Sequence, residues 1–151
     1  MRLCFDAGEG ATFPLRFGGK IGPTSGAPID ALVSVTALKR DCWQSFGPTQ
    51  VPLGDCAAIR VAGIQIVLIS NRTQALGLEL FRNLGIEPTQ RKLLVVKSTN
   101  HFMAAFGPIA AKVIYVDSDG PLNRDYRKIS YSRVQRPIWP LDAETTPGLI
   151  A

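Results

Sequence analysis

The single histidine of the chain, His101, lies in the hexapeptide KSTNHF at residues 97–102. The residues before it combine a positive charge, Lys97, with hydroxyl and amide side chains. Groups of these types can bind a carboxylate or the oxyanion that develops when a carbonyl is attacked. We therefore predict catalytic roles for His101 and Lys97, and substrate contacts from Ser98, Thr99 and Asn100.

A structural role would explain the same hexapeptide equally well. Ser98 or Thr99 would then only cap a helix that we predict to begin here. A lone histidine is also often a packing residue. The residue types alone leave both readings open.

A second candidate site is the FGGK sequence at residues 17–20, which precedes a loop rich in glycine and proline. Adjacent glycines allow a backbone to approach a ligand closely, and a lysine adds positive charge. We predict that Gly18, Gly19 and Lys20 cradle a carboxylate or phosphate. A glycine-rich turn that happens to carry a lysine is an equally weighted alternative.

The residue types do not favour a metal site within this chain. A protein zinc site usually needs three or four ligands from His, Cys, Asp or Glu. The chain has one histidine, and its three cysteines, Cys4, Cys42 and Cys56, lack paired spacing. The sequence DSDG at residues 117–120 lacks the later acidic ligands of a calcium loop and is predicted to be a turn. We therefore predict no metal ligands here.

Composition indicates one globular domain with a substantial core. The chain has 151 residues, of which 46% are hydrophobic and 19% charged. The net charge of +5 is scattered, and no nucleic-acid-binding module is recognisable, so we predict no nucleic-acid partner. Three unpaired cysteines without a visible signal peptide indicate a cytoplasmic protein. No apolar stretch is suited to crossing a membrane.

The hydrophobic patterns of the segments around these residues predict an α/β fold with a mixed β-sheet. The N-terminal half is β-rich, with alternating strands in residues 11–20 and 29–40. A hairpin follows in residues 56–70, with its turn at Ala62-Gly63. We predict an irregular connector between them, over residues 40–55.

The C-terminal half is predicted to begin with a helix over residues 73–85, with Thr73 as N-cap and Gly85 after its last turn. A buried strand (92–98), a helix (99–111) and a second buried strand (112–121) follow as a parallel crossover unit. KSTNHF would then lie at a strand end and a helix start, where ligands bind in open α/β sheets. An extended tail completes a single domain over 1–142, and residues 143–151 are predicted to be flexible.

Several ordered segments carry a family resemblance. They are AGEGA (7–11), FGGKIGPTSGAPI (17–29), RVAGIQIVLISNRTQALGLELFRNLGIEP (60–88), LLVVKSTNHFMAAFGPIA (93–110) and RPIWPLD (136–142). Their order and spacing resemble the C-terminal domain of the microcystinase C (MlrC) metallopeptidase family. The resemblance implies a zinc-dependent peptidase whose relatives cleave linearised microcystin and its tetrapeptide product. It also implies that the zinc ligands belong to a larger N-terminal domain, which we expect this chain to lack.

The functional expectation combines these observations. We expect the C-terminal portion of a zinc metallopeptidase that contributes His101, Lys97 and the GGK loop to a substrate cleft and is inactive alone. Its partners would be a peptide substrate and the absent N-terminal domain. An apolar face around Phe13, Phe17 or Trp43 would be exposed and would support a homodimer. The alternative is a stand-alone anion- or peptide-binding module, or a degenerate enzyme, and whether the chain is itself an enzyme stays open.

Overall fold

The computed structural model describes residues 1–22, 25–116, 125–139 and 141–142. The chain divides into two compact units, and each is described by itself. The first contains Met1–Phe17 and Ile29–Ile114, and the second contains Gly18–Pro28 and Tyr115–Ala151. The predicted DSDG turn and the predicted flexible tail at 143–151 lie outside the described residues.

The fold is dominated by strands, with one four-stranded sheet and a few short helices. The strands are β1 (Thr12–Phe17), β2 (Ile29–Phe46), β3 (Thr49–Val61) and β4 (Ile64–Ile69). Each strand pairs with its neighbour in sequence, in the order β1-β2-β3-β4. The predicted β-rich N-terminal half is confirmed. The predicted mixed sheet is wrong, because every pairing in the described residues is antiparallel.

The predicted hairpin turn at Ala62-Gly63 is confirmed. Val61 pairs with Ile64 across it, and Ala62 and Gly63 have φ angles of 46° and 81°. Two successive left-handed residues match the right-handed twist of the flanking strands. The turn therefore follows from local sequence.

The irregular connector predicted for residues 40–55 is wrong, because these residues complete β2 and β3. The pairing runs through Cys42 with Gly54 and ends at Phe46 with Thr49. Register shifts on both sides of Cys42, with a φ of 51° at Asp41, accommodate the irregular sequence. The turn-like residues mark β-bulges within a long hairpin rather than its interruption.

Two core clusters cover opposite faces of the central strand β3. The first core cluster comprises Cys42, Leu53, Cys56, Ala58, Ala75, Leu80, Leu84, Ile86, Phe102 and Phe106. The second comprises Cys4, Leu15, Val33, Val35, Ala57 and Ile59. Alternate side chains of a strand point to opposite faces. The continuous apolar run at residues 56–59 is therefore buried throughout.

The two predicted helices are shorter than expected, and a third, α1 (Arg2–Ala7), was not predicted. The other two are α2 (Glu79–Arg82) and α3 (Met103–Phe106), with 3₁₀ turns at Pro88–Gln90, Gly107–Ile109 and Tyr126–Lys128. None of the helices in the described ranges is long and apolar enough to cross a membrane.

The helix predicted for residues 73–85 reduces to α2 and its flanking turns. It begins at Glu79, so Thr73 is not its N-cap. It ends at Arg82, and Gly85 closes the turn that follows, with a left-handed φ of 68° as a C′ glycine would have. The amide of Ile86 donates to the Phe81 carbonyl at 3.2 Å, and that of Gly85 donates to Arg82 at 3.0 Å. This pair of bonds is a Schellman motif.

The predicted strand–helix–strand unit is wrong, because residues 93–98 and 112–116 form no strand of the sheet. The apolar run KLLVV predicts a strand buried on both faces, but no described strand pairs with it. Leu93 and Val95 are 77% and 83% exposed. Only alternate residues, Leu94 and Val96, pack against the first core cluster.

The exposed apolar face predicted around Phe13, Phe17 or Trp43 is found only at Trp43. Phe13 and Phe17 pack against the second core cluster. Trp43 is exposed, at 39%. The two phenylalanines face inward because β1 alternates and Leu15 between them is buried on the same face.

Candidate functional site

KSTNHF forms an exposed polar loop of the first compact unit. Lys97, Thr99, Asn100 and His101 are exposed, and Ser98 is half-buried. Both predicted catalytic side chains, Lys97 and His101, are therefore open to solvent. The loop can present hydrogen-bond donors and positive charge to a ligand.

The ring of His101 rests against the end of the long β2–β3 hairpin. Its centroid lies 5.2 Å from that of Phe46, and the rings are inclined at 71°. This edge-to-face arrangement is favourable for aromatic rings. Phe46 is the last residue of β2. The contact gives the exposed imidazole a defined resting position.

Two buried aromatic residues anchor the loop on its C-terminal side. Phe102 and Phe106 belong to the first core cluster. The Phe106 amide donates to the Phe102 carbonyl at 2.8 Å, and the Met103 amide donates to Asn100 at 3.1 Å. Because Phe102 is buried, the polar residues just before it are held at the surface.

A hydrogen-bond chain anchors the loop on its N-terminal side. Ser98 Oγ donates to Gln74 Oε1 at 3.0 Å. The carbonyl of Gln74 in turn accepts from Nε2 of Gln44 at 2.8 Å. Gln44 Oε1 accepts from the amides of Leu76 and Gly77 at 2.9 and 3.1 Å. In this structure the hydroxyl proton of Ser98 is used to hold the loop in place.

Gln44 and Gln74 are the supporting residues that sequence reasoning missed. Gln44 is fully buried on β2, within the stretch predicted to be an irregular connector. A usable signal was present: Gln44 follows Cys42 at a spacing of two, so an extended chain would place both on the same face.

The predicted helix N-terminus does not form at this loop. α3 has four residues and begins at Met103, and no side chain caps it. Its N-cap residue is Phe102, with helical angles of φ −60° and ψ −25°. Ser98 and Thr99 are therefore not helix caps. Any anion binding here depends on side chains rather than on a helix dipole.

Gly19 of the GGK loop lies where the structure leaves no room for a side chain. Gly18 and Gly19 have φ angles of 71° and 58°. A Cβ atom on Gly19 would lie 2.4 Å from the Pro28 nitrogen, whereas one on Gly18 would meet nothing within 4 Å. The returning limb of the loop therefore packs against Gly19. Lys20 is exposed. This loop belongs to the second compact unit and KSTNHF to the first.

The donor atoms of the described residues do not fit a zinc site. No three His, Cys, Asp or Glu side chains converge within the described ranges. Cys42 and Cys56 lie in the apolar first core cluster. Burial, reinforced by a hydrogen bond with Cys42, raises the pKa of the Cys56 thiol to about 12. A metal-binding cysteine needs the opposite, a thiolate.

These features define a strand-dominated domain that presents a polar loop but holds no metal-binding cluster among its described residues. The family model described as the MlrC C-terminus matches residues 1–133. The chain belongs to this family, which confirms the resemblance seen in the sequence.

Two longer proteins are similar to this chain. It is 38% identical over 143 residues to Microcystinase C of Sphingomonas sp, covering 94% of this chain and 27% of that protein. It shares its fold with the crystal structure, at 2.13 Å resolution, of a "Putative metallopeptidase" from Mesorhizobium sp. BNC1, with a TM-score of 0.81 and 23% identity. That match covers 96% of this chain and 30% of the other. The chain thus spans less than a third of either relative.

Proposed function

We propose that this chain supplies the C-terminal portion of a metallopeptidase of the MlrC type. Its family membership and its 38% identity to Microcystinase C support this assignment. The zinc of the complete enzyme would be held by the remainder of such a protein, because the donors described in this chain do not fit a zinc site. The chain alone is then inactive in peptide hydrolysis.

The observation that carries the proposal is the presentation of Lys97 and His101 on an anchored loop. Both side chains are exposed. The Ser98–Gln74 bond holds the backbone between them, and the buried Phe102 holds the backbone just after His101. Groups held in place before the substrate arrives stabilise developing charge at little reorganisation cost.

The chemistry assigned to the loop is binding and charge stabilisation. The Lys97 ammonium would attract a substrate carboxylate, and an imidazole N–H of His101 would donate to a carboxylate or to the oxyanion of the attacked peptide bond. Thr99 and Asn100 would add neutral hydrogen bonds. Gly18, Gly19 and Lys20 would contribute a second anion-binding loop, as predicted from the sequence.

Reconstitution tests this proposal directly. The chain is mixed with the part of Microcystinase C that it does not match, and hydrolysis of a linear peptide is followed. We expect His101→Ala and Lys97→Ala each to lower kcat/KM by about 100-fold, the scale for removing one oxyanion donor. Lys128→Ala, which removes an exposed lysine outside the site, is the matched control and should leave kcat/KM unchanged.

The outcomes separate two levels of the proposal. Unchanged kcat/KM in both site variants would refute the roles of Lys97 and His101. Failure of the wild-type mixture, when the two halves of Microcystinase C itself regain activity together, would refute the assignment to a peptidase.

A binding module is the second candidate function. The exposed Lys97 and His101, without a metal-binding cluster in the described ranges, also suit a domain that only captures peptide carboxylates. Calorimetry with the chain alone and a linear peptide distinguishes the two. Binding that requires a free carboxylate, with no hydrolysis after reconstitution, would favour the module.

A further inference from the structure

We propose that residues 93–96 and 112–114, here called the unpaired apolar segments, are the surface on which the remainder of an MlrC-type protein docks by adding β-strands. This inference rests on the proposed function, because it assumes that the chain works with such a remainder. It goes further by naming the surface and the mode of contact.

No described residue pairs with the backbone of either segment. Within the described part of the chain, residues 92–99 and 111–114 make no backbone–backbone hydrogen bond. Each such residue carries an N–H donor and a C=O acceptor that need partners when water is excluded. A row of open backbone groups is the feature by which a sheet edge accepts another strand.

The side chains of the segments alternate as they do in a strand. Leu94, Val96 and Val113 pack against the first core cluster. Leu93 and Val95 are 77% and 83% exposed, and Ile114 is 69% exposed. One set of side chains thus binds the segments to the core, and the other set presents large apolar surface to a partner.

Two other exposed apolar residues of the first unit lie in strands of the sheet. Leu32 and Ile64 are 66% and 62% exposed, and they belong to β2 and β4, where each is paired with a neighbouring strand. β4 is an edge strand, so its backbone is paired on one side. The unpaired segments combine outward apolar side chains with backbone that no described strand pairs on either side, which indicates strand addition rather than a casual apolar contact.

The greater length of similar proteins indicates what binds to the unpaired apolar segments. The chain corresponds to 27% of Microcystinase C and 30% of the Mesorhizobium protein, and its family is the MlrC C-terminus. Relatives therefore carry a large additional portion alongside this domain. That portion must contact the domain for the two to build one cleft, and the unpaired segments offer it both backbone and apolar groups.

Hydrogen exchange and binding test the inference with the unmatched part of Microcystinase C as the probe. We expect amides of the unpaired segments to exchange freely in the chain alone and to be protected at least 10-fold in the mixture. The double variant Leu93→Glu/Val95→Glu should weaken binding at least 10-fold. Leu32→Glu/Ile64→Glu is the matched control and should bind as wild type. Thermal unfolding checks that both variants are folded.

A second variant tests the backbone contribution separately. Val95→Pro removes one N–H donor while keeping an apolar side chain. It should also weaken binding if a strand is added, and it should have no effect if only side chains touch.

Three results would overturn the docking surface. The first is undiminished binding by Leu93→Glu/Val95→Glu, or protection confined to other residues. The second is no binding by the wild-type chain when the corresponding segment of Microcystinase C binds the same probe. The third is a dimer of this chain that Leu93→Glu/Val95→Glu dissociates while the probe does not compete, which would make a second copy the occupant.

Peptide hydrolysis measured in the same mixtures keeps the two proposals distinct. Tight binding through the unpaired segments without hydrolysis would overturn the peptidase function and leave the docking surface standing. Undiminished hydrolysis by the Leu93→Glu/Val95→Glu mixture would overturn the docking surface and leave the peptidase function standing.

Discussion

Gln44 shows how one buried side chain can determine the placement of a surface loop. Its amide bonds three backbone groups, the carbonyl of Gln74 and the amides of Leu76 and Gly77. The side chain of Gln74 then holds Ser98. The position of the candidate site thus depends on a residue that never touches solvent.

Gln44→Leu should destabilise the fold by about 3 kcal/mol, because it removes the partners of buried backbone groups that then remain unsatisfied. Urea unfolding measures this change. Gln50→Leu alters an exposed glutamine in the neighbouring strand β3 and should shift the unfolding free energy by less than about 0.5 kcal/mol. Equal effects in the two variants would show that the Gln44 bonds contribute nothing specific.

The sequence predicts the exposed candidates Lys97 and His101 but not the residues that support them. Lys97 and His101 are on the surface, where a ligand can reach them. The contact of His101 with Phe46 spans 55 positions, a separation that no local pattern encodes. Their catalytic roles remain predictions.

The elements differ in how far local sequence specifies them. The Ala62-Gly63 turn and the left-handed Gly85 in the turn after α2 involve neighbouring residues, and both were predicted. The bulges around Cys42 were not, because a bulge uses the same glycine, proline and aspartate signals as a loop. The outcome depends on whether a partner strand lies alongside.

The GGK loop provides a test at the scale of an element. Gly18→Ala should cost about 1 kcal/mol, because an L-residue is strained at positive φ. Gly19→Ala adds a collision with the backbone at Pro28 and should cost clearly more. Urea unfolding of both variants, with hydrogen exchange of β1 and β2, measures the difference. Equal costs would show that the approach of Pro28 is not required.

The three cysteines are divided between the two core clusters. Cys4 lies in the second cluster, and Cys42 and Cys56 lie in the first. All three are buried free thiols. They therefore report on opening of either side of the sheet.

A thiol reagent at pH 8 should consequently label none of the three cysteines rapidly in native buffer and all three in urea. Mass spectrometry identifies each labelled residue. In native buffer Cys56 should be labelled especially slowly, because burial raises its pKa to about 12 and leaves little thiolate. Because the pKa of Cys56 is higher in the folded state than in the unfolded state, its neutral thiol favours the fold. This contribution is fully present below about pH 9 and is lost as the pH rises towards 12. Rapid native labelling of Cys42 and Cys56 would contradict the first cluster.

The sequence by itself determined the family, the β-rich half and the Ala62-Gly63 hairpin. These depend on residue type and short-range order, which a sequence displays directly. Only the tertiary structure decided that the long β2–β3 hairpin is continuous, that Gln44 supports Ser98 through Gln74, and that no described strand pairs with residues 93–96. Strand pairing joins residues far apart in the chain. An apolar run such as KLLVV shows that a strand is suited to burial, but not whether a partner is present to bury it.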